Sequence, residues 1–259
     1  QRSQPVNEAV SLVIMDNHHS HSSAASSFRS ISVFFPCFNE RDNLEPLVQQ
    51  AVEVLDKTGL DYEIIVVDDG STDGTGALAD AFAAQIPVLK VIHHPVNKGY
   101  GAALQSGFRA ASKELVFYTD GDRQFDLEEL PPLLPLMQQY DIVSCYRLNR
   151  QEGWIRRLNA FCWTRLVCRL FHLNLKDIDC AFKLFKRKIF DGMPLVSTGA
   201  LIDTEILARA ARKGYTIVQV GVHHYPRRAG RPTGAKPSVI ARAFYELFKL
   251  RKTILNQQP

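Results

Sequence analysis

Tyr62-Glu-Ile-Ile-Val-Val-Asp-Asp-Gly-Ser-Thr-Asp-Gly-Thr75 decides how the chain is read. Tyr62–Val67 is nearly continuous in apolar residues, the pattern of a strand buried on both faces of a parallel sheet. The run breaks into Asp, Gly and Ser, which turn the chain, and Asp73 or Thr72 can cap the helical period over Asp73–Ala84. Strand, polar turn and helix in 23 residues form one repeating unit of an α/β protein.

The same alternation extends to either side. Upstream, Ile31–Phe35 is a β-branched and aromatic strand ending at Pro36. Asp42–Leu55 then spaces Leu44, Leu47, Val48, Ala51, Val52 and Leu55 as a helix, with Gly59 as its stop. Downstream come a strand at Val88–Ile92, a helix at Gly101–Ala111, a strand at Leu115–Tyr118, a helix at Leu127–Gln139 and a strand at Ile142–Ser144. Repeated β-α-β-α at this spacing predicts an open, doubly wound, mostly parallel sheet with helices on both faces. Beyond Tyr146 the order is less regular, with helices at Trp154–Leu173, Asp203–Lys213 and Ser238–Ile254 and strands at Ala181–Phe185 and Thr216–Val222.

In such sheets, ligands sit beyond the carboxyl ends of the strands. Three polar clusters stand there: Pro36-Cys-Phe-Asn-Glu40, Asp68–Thr75, and Asp120-Gly-Asp122-Arg-Gln124. Alternate residues of an extended segment point the same way, so Asp120, Asp122 and Gln124 can face one site. Hard oxygen donors of this kind suit Mg²⁺ or Mn²⁺ where a diphosphate shares the ion. Taken alone, Asp120 and Asp122 also read as an acidic turn capping a helix near Leu127. Asp69 can likewise serve a turn and still meet a ribose or base. Neither G-x-G-x-x-G nor GK[ST] occurs, which excludes a dehydrogenase fingerprint and a P-loop.

Pro36–Glu40, Val67–Thr75, Asn97-Lys98-Gly99 and Asp120–Gln124, in that order, resemble the inverting family 2 glycosyltransferases of GT-A fold. Asp141–Arg147, Asp179–Phe185 and Tyr225–Gly230 are similar to the polyprenyl-phosphate hexose transferases within it, the dolichyl-phosphate mannose or glucose synthase-like enzymes. The chain departs from that pattern at Cys180 and Thr233. The resemblance implies that Pro36, Phe38, Glu40, Val67 and Asp69 hold the nucleoside, with Lys98 near the donor. It places Asp120, Gly121 and Asp122 on the diphosphate, with Asp122 and Gln124, beside Asp120, as ligands of Mg²⁺ or Mn²⁺. Arg147, Lys183 and Arg227 would bind an acceptor phosphate, and Asp120, Asp122, Arg147 and Arg227 form the expected catalytic set. For a hydroxyl acceptor, Asp203 and Glu205 are candidate bases, or simply a pair at a helix start.

Charge divides in the same place. Up to Tyr146 the chain has nine Lys/Arg and 20 Asp/Glu; after it, 22 and seven. An acidic half suited to a cation and a basic half suited to an anion fit a nucleotide-diphosphate sugar as donor and a polyprenyl phosphate as acceptor. The basic, aromatic helices Trp154–Leu173 and Ser238–Ile254 suit the headgroup layer of a membrane, or else a packed helix or a homodimer contact. A nucleic-acid partner is not expected, because no recognised motif accompanies the basic half. No apolar run reaches the roughly 18–20 residues of a membrane span. Cys37, Cys145, Cys162, Cys168 and Cys180 are odd in number and scattered, as for reduced thiols. The expected organisation is a mobile leader over 1–29, a catalytic domain over 30–236 with its donor half ending near 146, and a basic amphipathic helix over 237–259. The expected location is the cytoplasmic face of a membrane, held peripherally.

Overall fold

The computed structural model describes residues 28–148, 154–227 and 246–254. The expected leader, up to residue 27, and the first part of the last helix lie outside them. Seven strands form one sheet: β1 (Ser30–Cys37), β2 (Asp61–Asp68), β3 (Leu89–His93), β4 (Leu115–Thr119), β5 (Ile142–Leu148), β6 (Phe182–Lys186) and β7 (Ile217–His223). Their order across the sheet is β3-β2-β1-β4-β6-β5-β7. The helices are α1 (Arg41–Asp56), α2 (Thr75–Ala83), α3 (Tyr100–Ala110), α4 (Trp154–Phe171) and α5 (Ile202–Arg212); residues 246–254 are also helical.

β1, β2, β3 and β4 run parallel, with Phe34 beside Ile65 and Tyr118. Burial explains the apolar reading: Ile64, Ile65, Val66 and Val67 are wholly inaccessible, so both faces of β2 are covered. The chain winds outward through α1 and α2, which pack together, and returns through α3 to β4. Right-handed crossovers in opposite senses put α3 on the other face. There Phe34, Phe108, Tyr118, Phe185 and Phe190 form a continuous aromatic cluster. Gly107 lets α3 approach the sheet, since a β-carbon there would overlap the Phe34 ring.

Two elements differ from the sequence reading. The helix expected over Leu127–Gln139 is two 3-10 segments, Leu127–Glu129 and Pro131–Gln138. Pro131, Pro132 and Pro135 remove backbone donors and crowd the preceding carbonyls, so no continuous α-helical ladder can form. β6 is antiparallel to both β4 and β5, whereas β5 and β7 are parallel to each other. Six strands therefore point one way, and the single reversed strand begins at their carboxyl end, with Phe182 opposite Thr119.

The C-terminal helix buries Leu247, Leu250 and Ile254, one face at helical spacing, and leaves Phe248 exposed. Arg251 Nε donates to the Leu170 carbonyl and ties this helix to α4. The five cysteines are all free thiols. Among the described residues, no helix is long and apolar enough to cross a membrane.

Candidate active site

Where β1, β2 and β4 end, the chain makes a cleft of about 450 Å³. Pro36, Phe38, Glu40, Asp69, Asp120, Gly121, Asp122 and Arg227 line it, together with Asn97, Gly99 and Tyr100. Val67, Lys98 and Gln124 are not among its lining residues: Val67 is inside the sheet, and Lys98 contributes its backbone N–H to Asp69 at 2.9 Å. The Gln124 side-chain amide donates to the Tyr225 carbonyl at 3.0 Å.

The first two strand-end loops are laced together. Asn39 sits in the left-handed region, φ 57°, and there its amide meets Ser71 Oγ at 2.9 Å and its side chain accepts from Thr72 N at 2.8 Å. Neither Asp73 nor Thr72 is the N-cap of α2, which is Gly74 in the left-handed region; the Asp73 carboxylate accepts from the Thr75 amide and from the Arg41 amide at the start of α1. Glu40 accepts from Asn43 at 2.6 Å, and burial raises its pKa.

Asp120 and Asp122 follow β4, with Gly121 between them. A β-carbon at Gly121 would stand 2.7 Å from Cys37 Sγ, so only glycine lets this turn press against β1. Asp120 Oδ1 is buried without a hydrogen-bond partner. Burial, and then the charge of Asp122, push the Asp120 carboxyl up to about 7, while the Tyr100 hydroxyl beside it pulls the other way. An orphaned buried carboxylate oxygen next to a second carboxylate is a chemical fit for a divalent cation. Among the described residues, no group of three or more His, Cys, Asp or Glu side chains forms a complete metal cage. Two carboxylates with phosphate oxygens completing the shell is how Mg²⁺ is usually held.

The three basic residues expected on an acceptor phosphate do not share one location. Arg227 reaches into the cleft, its Nη2 2.9 Å from Asp122 Oδ2 and 3.1 Å from Glu40 Oε1. Arg147, at the end of β5, grips Asp177 through two hydrogen bonds of 2.7 and 2.9 Å. Lys183 is wholly buried on β6 and pairs with Asp203 at 2.8 Å, while also donating to the Cys180 carbonyl. The Tyr118 hydroxyl donates to the same Asp203 carboxylate.

Asp203 and Glu205 are a pair at a helix start, in the first turn of α5 after its N-cap position Leu201, and both side chains are buried. Glu205 accepts from Arg209 at 2.8 Å and from the Val196 and Ser197 amides.

Two groups at the strand ends were not among the expected site residues, and neither lines the cleft. His94, one residue past β3, places Nδ1 2.6 Å from Asp69 Oδ1 and Nε2 2.9 Å from Ser106 Oγ. The strand-end rule, applied also to β3, would have found it. Asp179 precedes β6, where reversal of that strand brings it to the carboxyl-end rim. Burial, and then the charges of Asp203 and Asp177, push its carboxyl up to about 7.

A mixed sheet with one reversed strand and acidic residues beyond β4 is the architecture of the GT-A fold. The chain belongs to glycosyl transferase family 2, whose model matches residues 32–193. It is 33% identical over 171 residues to the undecaprenyl-phosphate 4-deoxy-4-formamido-L-arabinose transferase of Aeromonas hydrophila subsp. hydrophila. That stretch is 65% of this chain and 52% of the relative, so the chain spans about half the length of the curated relative it matches. Among solved structures it is similar to glucosyl-3-phosphoglycerate synthase from Mycobacterium tuberculosis in complex with Mn²⁺, uridine diphosphate and phosphoglyceric acid. The TM-score is 0.69 at 22% identity, covering 91% of this chain and 81% of the other. The same enzyme with Mg²⁺ and uridine diphosphate gives 0.66 at 23% identity, covering 86% and 81%. At these identities the likeness bears on the fold.

Proposed function

We propose that the chain transfers a hexose, with inversion, from a nucleotide-diphosphate sugar, GDP-mannose or UDP-glucose in type, to a polyprenyl phosphate at a membrane surface. The observation that carries this reading is the cleft itself, with Asp120 and Asp122 at the end of β4 facing Asp69 and Phe38 across it. The lipid acceptor is supported by the Aeromonas relative, which is named for transfer to undecaprenyl phosphate.

In this reading Pro36, Phe38, Glu40, Val67 and Asp69 form or back the nucleoside end, with Lys98 holding the loop beside it. Asp122 and Asp120 would hold Mg²⁺ or Mn²⁺, whose charge, when bound, offsets that gathering on the leaving diphosphate, while Gln124, expected beside them, is turned to the Tyr225 carbonyl. Arg227 stands at the same carboxylates, where its guanidinium would meet the acceptor phosphate, whereas Arg147 at the end of β5 is held by Asp177 outside the cleft lining. Lys183 acts from inside, fixing Asp203 and the start of β6. A phosphate oxygen attacks the anomeric carbon as the bond from that carbon to the diphosphate oxygen breaks, and the diphosphate leaves with the electron pair. A phosphate monoester is ionised at neutral pH, so this attack requires no base.

Asp179 favours a second reading. A carboxyl at the rim with a pKa raised to about 7 would serve as general base toward a hydroxyl acceptor. The two readings separate in one assay. Incubation with a labelled nucleotide sugar and Mn²⁺ gives an organic-soluble product with polyprenyl phosphate if the first is right. A product formed only on a free saccharide supports the second.

A further inference from the structure

His93, the last residue of β3, stands between two carboxylates. Its Nδ1 is 3.1 Å from Asp68 Oδ2 at the end of β2, and its Nε2 is 2.9 Å from Asp80 Oδ1 on α2. A carboxylate can only accept a hydrogen bond, so each ring nitrogen has to donate. Only the imidazolium carries both protons; a neutral ring has one and turns a lone pair toward the other carboxylate. Among the described residues, Asp80 and Asp68 are the charged groups that face His93. Lys90 on the same strand is taken by Glu63, and the next residue, His94, by Asp69. The bond to Asp80, opposed by burial and helped by Asp68, raises the imidazole pKa above its ordinary 6.5.

This clasp backs one wall of the cleft without lining it. Gly76 in the first turn of α2 presses on the pair, since a β-carbon there would overlap Asp68 Oδ2 and stand 3.2 Å from His93 Cε1. Beside it, Thr75 Oγ1 accepts from the Glu40 amide at 3.0 Å. The other Asp68 oxygen accepts from Ser71 N at 3.0 Å, and Ser71 Oγ accepts from the Asn39 amide at 2.9 Å. Asn39 joins Phe38 to Glu40, and both of those line the cleft. The two carboxylates are unequal: the Asp68 side chain is 7% exposed and that of Asp80 62%. When the ring loses one proton, buried Asp68 keeps the remaining N–H, because leaving it unpaired costs more. Asp80 then turns to water, and α2 loses its tie to the sheet.

We infer that His93 is a positioning residue for the nucleotide: as an imidazolium it clasps α2 to the ends of β2 and β3, holds Phe38 and Glu40 in place, and lets nucleotide binding weaken as its proton leaves. This rests on the nucleotide-sugar reading above. The charged form is the one the clasp favours, so its contribution is full below about pH 6.5 and is lost as pH rises through the raised value.

The test is titration calorimetry of the full chain with UDP and with GDP, each in excess Mg²⁺, from pH 6 to 8.5. His93→Arg keeps a cation with donors for both carboxylates at every pH. Measured against that variant at equal pH, which cancels ionisation of the nucleotide and of the other cleft groups, the unaltered chain is expected to lose about threefold in affinity across the range. That is the scale of one partly exposed ion pair. His93→Gln, neutral throughout, is expected to bind at the weaker level at every pH. The ¹⁵N–¹H NMR signals of His93 at pH 6 are expected to show both ring nitrogens protonated. A residue that only supported the fold would move the melting temperature with pH and leave the affinity ratio to His93→Arg constant. That constant ratio, or a neutral His93 ring at pH 6, overturns the inference while leaving the transferase reading intact. Binding of neither nucleotide at any pH overturns the transferase reading and this inference with it.

Discussion

Lys183 is the residue whose surroundings differ most from what its neighbours in sequence suggest. Flanked by Phe182 and Leu184, it faces Tyr118 across the β4–β6 pair and carries its charge into the core to meet Asp203. Replacing it with Met leaves Asp203 buried and uncompensated, and Lys183→Met should lower unfolding free energy by about 3–5 kcal/mol. Adding Asp203→Leu should recover much of that loss; denaturant melts of both variants measure it. Asp179 supplies a pH dependence of definite sign. Its carboxyl, ordinarily near 3.8, is raised to about 7 in the fold. Between those values the folded chain holds a proton that the unfolded chain has released, so this residue's contribution to stability falls as pH rises through that window. Asp179→Asn should flatten that part of the profile and stabilise the chain most at pH 7 and above, by melts across pH 4 to 8. Asp69, Asp120 and Asp122 were legible as cleft-lining residues because strand ends announce them. Lys183 and Asp203 were not, because a charge in a mixed sequence reads as surface until its partner, 20 residues away, is seen beside it.

At the scale of elements, the first four strands were legible because burial on both faces leaves an unbroken apolar run in the sequence. The direction of β6 was not, since alternation and composition are the same for parallel and antiparallel strands. The prolines at 131, 132 and 135 were visible in the sequence, yet the apolar spacing around them still read as one helix. The exposed faces of α4 and the last helix are where a membrane role is argued. α4 exposes Leu158 and Phe161, with Arg165 stacked 5.2 Å over Phe161, and the last helix exposes Phe248 beside Lys249 and Lys252. Aromatic and basic residues together on exposed helix faces suit an anionic headgroup layer. Vesicles with anionic lipid should carry the protein upward in flotation, neutral vesicles much less. The double substitution Phe161→Ser, Phe248→Ser should reduce that association without changing the melting temperature, because neither side chain is in the core. Equal flotation of the double variant would remove these faces from the account.

For the whole molecule, the charge division in the sequence corresponds to a spatial arrangement, though a less tidy one than an acidic half and a basic half. Asp120 and Asp122 come from the acidic half, but Arg227 of the basic half lies on Asp122 and Glu40, so the two halves meet inside one cleft. Removing Asp122 takes away both the proposed metal ligand and the partner of Arg227. Asp122→Ala is therefore expected to reduce transfer by about 100- to 1,000-fold, the scale of losing a central electrostatic group, with the fold retained by circular dichroism. The central claim is most directly tested by incubating the full chain with Mn²⁺, polyprenyl phosphate and a radiolabelled nucleotide sugar, then extracting into organic solvent. The account predicts a labelled lipid-linked sugar that requires the metal and is absent with Asp122→Ala. Label confined to the aqueous phase with every donor, or a lipid product undiminished by Asp122→Ala, would contradict it.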